Sequence, residues 1–263
     1  MNIKSYHSRP EISKSDLDLL AKSPYHFKHK AEFKDESKAL VLGSAVHKLV
    51  LEPLDFKNEF IIEPICDKRT KDGRAIYEKF KNEANDRYIL TPSEYELALN
   101  MAKSVLDMKQ TGAFLRDGLS EQSYFSTIDD VAVRCRPDFY NEKLGLVIDL
   151  KTTSDASASG FAKSVANFNY HIQNAFYTDI LRANNKVVNS FLFIAVESKK
   201  PFMVGFYVLD DEAIEQGRKR YKELLNLYKI CLKRDEWWGY AEFDGERINA
   251  VRELSLPAWK FYE

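Results

Sequence analysis

The run Leu144-Gly145-Leu146-Val147-Ile148-Asp149-Leu150 is apolar enough for a buried strand, yet a carboxylate interrupts it. An ionised carboxylate is costly away from water unless it is paired. Any fold that buries this strand must therefore bring a cation or a donor to Asp149. Side chains alternate across a strand, which sends Asp149 and Lys151 to one face and Leu150 to the other. Val131 to Tyr140 also reads as a strand, and Asn141-Glu142-Lys143 as the hairpin turn between the two. The first strand carries Arg136-Pro137-Asp138, a second acid close to its end. Two carboxylates and an ammonium on one hairpin suit a magnesium site beside a phosphate. Carboxylate oxygens hold the hard cation, the cation activates water and clamps a leaving oxygen, and lysine neutralises developing charge. A surface hairpin with ordinary charges is the plainer alternative for so short a pattern.

The flanking segments indicate the layers around this hairpin. Ser13 or Ser15 can cap a helix running to Ala21, stopped before Pro24, and Pro24 to Lys30 makes a second. Lys38 to Leu51 is a third, apolar over a broad face. Phe56 to Pro64 alternates like a strand, Cys66 to Ala75 reads as a polar loop, and Gly73 to Glu83 as a helix. Thr91-Pro92-Ser93-Glu94 opens a long helix with a capping-box pattern. Strands are expected at Glu121–Ile128, Val131–Tyr140, Leu144–Leu150, Asn189–Glu197 and Met203–Leu209. Helices are expected at Ser157–Ala166, Tyr170–Asn184 and Asp210–Lys233, the last turning Leu224, Leu225, Leu227, Tyr228 and Leu232 inward. The order predicts an α/β fold, a central mixed sheet flanked by helices with a helical N-terminal elaboration. A single domain over 1–263 is the simplest division: 1–115 mainly helical, 116–235 the core, and 236–263 a tail packed on it.

Composition narrows the class. With 44% hydrophobic and 30% charged residues, the chain is an ordinary globular protein. No apolar run approaches the ~20 residues of a membrane span, and Met1-Asn2-Ile3-Lys4-Ser5 lacks the apolar core of a secretory signal, so the cytoplasm is the expected location. Cys66, Cys135 and Cys231 show no paired spacing and read as reduced thiols. A net charge of −1 gives no bulk footprint for nucleic-acid binding. A local basic groove would have to come from clusters such as Lys22, Lys28, His29 and Lys30, or Lys68, Arg69, Lys71 and Arg74.

Three further pieces matter: Gly43-Ser44-Ala45-Val46-His47 in the apolar helix, Glu121, and Gln173 with Tyr177 four residues on, sharing one helix face. The order G-x-x-x-H, acid, R-P-D, D-L-K-T, Q-x-x-x-Y resembles the PD-(D/E)XK nuclease superfamily in its RecB-like branch. It is most similar to the RecE-like (exonuclease VIII) nuclease domains and their phage relatives. Ile12-Ser13-Lys14-Ser15-Asp16-Leu17 and Ser23-Pro24-Tyr25-His26-Phe27 are similar to that branch's opening segment, and the resemblance spans about Ile12 to Leu232.

The resemblance implies that His47, Asp138, Asp149 and the Leu150 carbonyl are metal ligands for Mg2+, with Mn2+ able to substitute. It implies a catalytic role for Lys151, an assisting one for Glu121, and an accessory pair, Gln173 and Tyr177, that contacts the substrate strand or steadies the lysine. Each has a structural alternative: a satisfied core histidine, an aspartate of turn chemistry, an ion partner for Asp149, an exposed strand glutamate, a surface glutamine and a core tyrosine. Thr152 and Thr153 either cap the next loop or bond phosphate. The implied activity is a 5′-to-3′ double-strand DNA exonuclease that leaves 3′ single-strand overhangs for recombination. Implied partners are DNA ends, three further copies in a ring-shaped tetramer, and a RecT-type annealing protein. The alternatives are a single-strand or structure-specific endonuclease of the same fold, or a non-catalytic DNA-binding derivative. Relatives that hold an iron–sulfur cluster need four cysteines, and this chain has three.

Overall fold

Strand Leu146–Thr153 lies at the centre of a five-stranded mixed sheet ordered Gly118–Ser120, Phe139–Asn141, Leu146–Thr153, Ser190–Glu197, Val204–Tyr207. The structure is a computed structural model that describes residues 3–32, 37–257 and 260. The central strand runs antiparallel to Phe139–Asn141 and parallel to Ser190–Glu197. A parallel neighbour requires a crossover, and helices Ala158–Asn167 and Tyr170–Ala183 lie within it. Both faces are covered, which is why the strand reads as a near-continuous apolar run. Val147 joins the core built with Ile172, Phe176, Tyr221 and Leu224, under helices Tyr170–Ala183 and Asp211–Arg234. Leu146, Ile148 and Leu150 join the other, with Val46, Val50, Met101 and Val105 from helices Lys38–Leu51 and Pro92–Leu106.

Local chemistry sets the helix ends. Ser13, rather than Ser15, caps helix Lys14–Lys22 in a reciprocal capping box with Asp16. Thr91 and Glu94 do the same for Pro92–Leu106. Helix Lys38–Leu51 sits close against the central strand because residue 43 is glycine: a Cβ there would stand 3.3 Å from Thr152 Oγ1.

Several expectations are corrected. Val131–Tyr140 is two strands. Val131–Cys135 pairs with Tyr124–Ile128 in a separate hairpin, and Phe139–Asn141 belongs to the main sheet. The break falls at Arg136-Pro137-Asp138, where proline has no N–H to donate to a ladder. The strand expected from Glu121 starts at Tyr124, and Glu121 itself adopts φ 53°. Phe56–Pro64 splits into a short helix, Phe56–Glu59, and a strand, Phe60–Ile62, paired in parallel with Tyr88–Leu90. Thr70 caps a helix that begins at Lys71, inside the expected loop. Leu232 is 54% exposed rather than inward.

The tail makes contacts over its first part, as far as Glu246. Trp237 stacks on Phe27 and the Tyr25 amide donates to the Trp238 carbonyl, whereas Val251 and Leu254 are exposed. Residues 1, 2, 258, 259 and 261–263 of the expected leader and tail readings lie outside the described residues. No described helix is long and apolar enough to cross a membrane.

Candidate metal centre

Sheet register brings the acids together. Ser120 pairs with Phe139, so one step further Glu121 stands opposite Asp138, and its amide donates to the Asp138 carbonyl at 3.0 Å. Phe139 pairs with Ile148, so one step further Asp138 stands opposite Asp149. Three carboxylates thus form a row across three strands at the point where the hairpin opens. Glu121 is a non-glycine residue in the left-handed region, a sparsely populated conformation that concentrates at functional sites.

Helix Lys38–Leu51 delivers the imidazole. His47 Nδ1 lies 3.2 Å from Asp138 Oδ2, and that same oxygen accepts from the Leu150 amide at 2.7 Å. Ligand atoms of His47, Glu121 and Asp138 all lie within 4.8 Å of one another. Asp149 is fully buried and held from two sides: Gln173 Nε2 donates to Oδ1, and Lys151 Nζ lies 2.5 Å from Oδ2. The lysine meets Oδ2 as a charge, without the alignment of a hydrogen bond, so that oxygen has no aligned donor. Lys151 in turn lies over the Tyr170 ring, 4.6 Å from its centroid. Glu121 accepts from Arg136 Nε at 2.7 Å.

The electrostatics follow from crowding. Burial, then the charge of Asp138, pushes the Glu121 carboxyl up to about 7, against the pull of Arg136. Burial and then Asp149 raise Asp138 well above the usual carboxylate range. Burial and then Lys151 lower the His47 imidazole, leaving it neutral with a lone pair to offer. Burial works against the Lys151 ammonium, but Asp149 and Asp138 outweigh it and hold its pKa above the ordinary value. Two carboxyls pushed toward neutrality, a neutral imidazole and a buried oxygen short of a donor make a set that a divalent cation would satisfy.

A family model described as a PDDEXK-like domain of unknown function (DUF3799) matches residues 13–252. The chain belongs to this family. The fold of this PDDEXK-like domain is also that of a solved structure from Eubacterium rectale, a candidate exonuclease. The two are 15% identical and align with a TM-score of 0.64 over 99% of this chain and 97% of that one. A second structure, SSO0001, is 14% identical over 80% of this chain and 85% of that one, and its TM-score of 0.31 carries no argument. No curated protein matches the sequence.

Within the PDDEXK-like domain, His47, Asp138, Asp149, Leu150 and Lys151 lie in one neighbourhood. Glu121 joins the tight cluster with His47 and Asp138, whereas Asp149 is engaged by Gln173 and Lys151. Gln173 steadies the aspartate rather than the lysine. Tyr177, one turn on, packs on Phe176 and Phe191, and burial raises its phenol well above the ordinary value. Thr153 caps the following loop, bonding Asp155 both ways, and Thr152 faces Gly43.

Three residues escaped the sequence reading. Arg136, the first residue of R-P-D, orients Glu121. Tyr170 supports Lys151 from the first turn of Gln173's helix. Lys14, in the opening segment, places its Nζ 5.8 Å from the centroid of the same tyrosine ring, pairs with Asp18 and donates to the Phe168 carbonyl. Half of the basic-cluster residues are ion-paired with acids: Lys30 with Asp16, His29 with Glu32, Lys68 with Glu63 and Arg69 with Asp67.

Proposed function

We propose that this chain is a magnesium-dependent deoxyribonuclease that hydrolyses DNA phosphodiesters. The observation that carries the reading is the convergence of His47, Glu121 and Asp138 within 4.8 Å, beside the Asp149–Lys151 pair. His47, Asp138, Asp149 and the Leu150 carbonyl would hold the cation, with Mn2+ able to replace Mg2+. When bound, it lends Lewis acidity to a phosphate oxygen and acidifies water. Lys151, kept protonated by two carboxylates, sets a fixed positive charge where phosphoryl charge develops. Glu121, clustered with His47 and Asp138, would add a carboxylate beside the cation and its water. Gln173 fixes Asp149 and Arg136 fixes Glu121, so both acids are oriented before substrate arrives.

Resemblance to RecE-like nucleases takes the proposal further, and the exonuclease name borne by the Eubacterium rectale neighbour is consistent with it. On this reading the chain works in the cytoplasm as one nuclease domain, digesting linear duplex 5′ to 3′ and leaving 3′ overhangs for a RecT-type annealing protein. A ring-shaped tetramer around DNA would supply processivity through topology, which suits a chain of net charge −1.

The test compares 5′-labelled linear duplex with closed-circular duplex in magnesium, using wild type and Asp149→Ala. Loss of 5′ label from linear DNA by wild type alone supports the proposal. Cutting of the circle favours the endonuclease, and binding without magnesium-dependent cleavage favours the non-catalytic derivative. Light scattering decides the ring: a monomer at working concentration removes it.

A further inference from the structure

A polar cavity of about 230 Å³ contains none of the metal-centre residues. It lies between helix Tyr170–Ala183, the start of strand Ser190–Glu197 and the first turns of helix Asp211–Arg234. Asn174, Thr178 and Arg182 line it at four-residue spacing, which puts them on one helix face. Gln173, one residue earlier, turns instead to the central strand, where it holds Asp149. Register explains the opening. Strand Val204–Tyr207 pairs only with Phe193–Val196, so the first residues of Ser190–Glu197 have no described strand on that side.

The lining holds unsatisfied groups. Asn174 is 2% exposed, yet its Nδ2 has no hydrogen-bond partner, and no described residue bonds its Oδ1. Buried amides are nearly always bonded, so a carboxamide left open on a cavity wall points to a ligand. Thr178 and Ser190 add hydroxyls without a described partner. Four charged residues border the same space. Arg218 and Glu215 pair with each other, and Arg218 also holds Asp179 at 2.8 Å. Arg182 donates to the Val188 carbonyl at 2.9 Å but has no described ion partner, and neither has Asp211. One open cation and one open anion thus line the cavity without pairing with each other. A lone anion here would meet Asp211 and Glu215, and a lone cation would meet Arg182. A ligand carrying both charges finds a complement at each end. Val188, Phe191 and Ile214 supply an apolar wall.

We propose that this cavity binds a small α-amino acid with an apolar side chain. The ligand carboxylate meets Arg182, its ammonium meets Asp211, and its side chain packs on Val188, Phe191 and Ile214. Asn174 and Thr178 complete the hydrogen bonds, since a carboxamide offers both a donor and an acceptor. The site stands apart from the nuclease reading. It shares a helix with Gln173, so a bound ligand rests against the element that orients Asp149.

The experiment is isothermal calorimetry in EDTA without DNA, titrating L-leucine, L-leucinamide and isocaproate. Leucinamide lacks the carboxylate and isocaproate lacks the ammonium. Leucine should bind with a millimolar or lower dissociation constant, and each analogue about tenfold more weakly. Asp211→Asn, at an exposed residue, should weaken leucine about tenfold and leave isocaproate unchanged. Asn174→Leu should abolish the heat of leucine binding while keeping or raising the melting temperature, because it removes a buried amide that nothing bonds. No heat with leucine at millimolar concentration, equal binding of the three compounds, or wild-type affinity in both variants overturns the assignment. With neither DNA nor metal present, each of these results leaves the nuclease reading untouched, and absence of magnesium-dependent cleavage by wild type bears on that reading alone.

Discussion

His47 Nδ1 and Asp138 Oδ2, brought from distant parts of the sequence, meet at 3.2 Å. The contact joins helix Lys38–Leu51 to the mouth of the central hairpin, and the Leu150 amide anchors the same carboxylate oxygen. His47→Ala and Asp138→Ala each remove a donor atom from the cluster. Each should lower magnesium-dependent DNA cleavage by a factor on the order of 10²–10³, and calorimetry with manganese should lose its binding heat. Full activity in either variant places the reaction elsewhere.

Metal-free stability should fall as pH rises through the window set by Glu121. Its carboxyl ordinarily titrates at 4.5 and is raised to about 7 in the fold. Between those values the native state binds more protons than the unfolded one, so unfolding free energy decreases with pH. The loss is complete above about 7 and amounts to at most about 3 kcal/mol. Urea unfolding in EDTA from pH 4.5 to 7.5 should show this slope for wild type and a flatter one for Glu121→Gln. Parallel curves would contradict the assignment. Added magnesium should offset the loss by binding only the native state.

Gln173→Ala should harm both stability and rate. It leaves Asp149 Oδ1 buried without its donor, a deficit of about 1–3 kcal/mol, and frees the carboxylate to rotate. Chemical denaturation and single-turnover cleavage report the two effects separately. A variant with wild-type turnover would show that Asp149 needs no such support.

Gly43→Leu should push helix Lys38–Leu51 off the strand, because even a Cβ stands 3.3 Å from Thr152 Oγ1. Overpacking of this kind costs about 1–3 kcal/mol, and His47 would move with the helix, so cleavage falls more than stability does. Gly43→Ala gains about 1 kcal/mol of helix propensity against a tight contact. Its melting temperature should change little while its activity drops. Wild-type activity in both variants would separate Gly43 from the site.

Much of the architecture was legible because its signals are local. The apolar run around Asp149 marked the central strand, Ser13 and Thr91 marked helix starts, and the long amphipathic pattern after Asp210 marked the last helix. Boundaries failed where tertiary pairing decides. Nothing in Val131–Tyr140 announces that its two halves join different sheets, and strand Phe60–Ile62 exists only because Tyr88–Leu90 lies beside it.

The sequence by itself determined which chemistry was available: an imidazole, several carboxylates and a lysine, one of the acids on a strand that had to be buried. It could not rank Glu121 against Asp149 as a neighbour of His47, nor see Arg136 as the support of Glu121 and Tyr170 as that of Lys151. Those relations depend on register between strands and on how closely one helix approaches a sheet. Register is a sum of many weak pairings spread over the whole chain, so only the packed molecule fixes which side chains stand opposite each other.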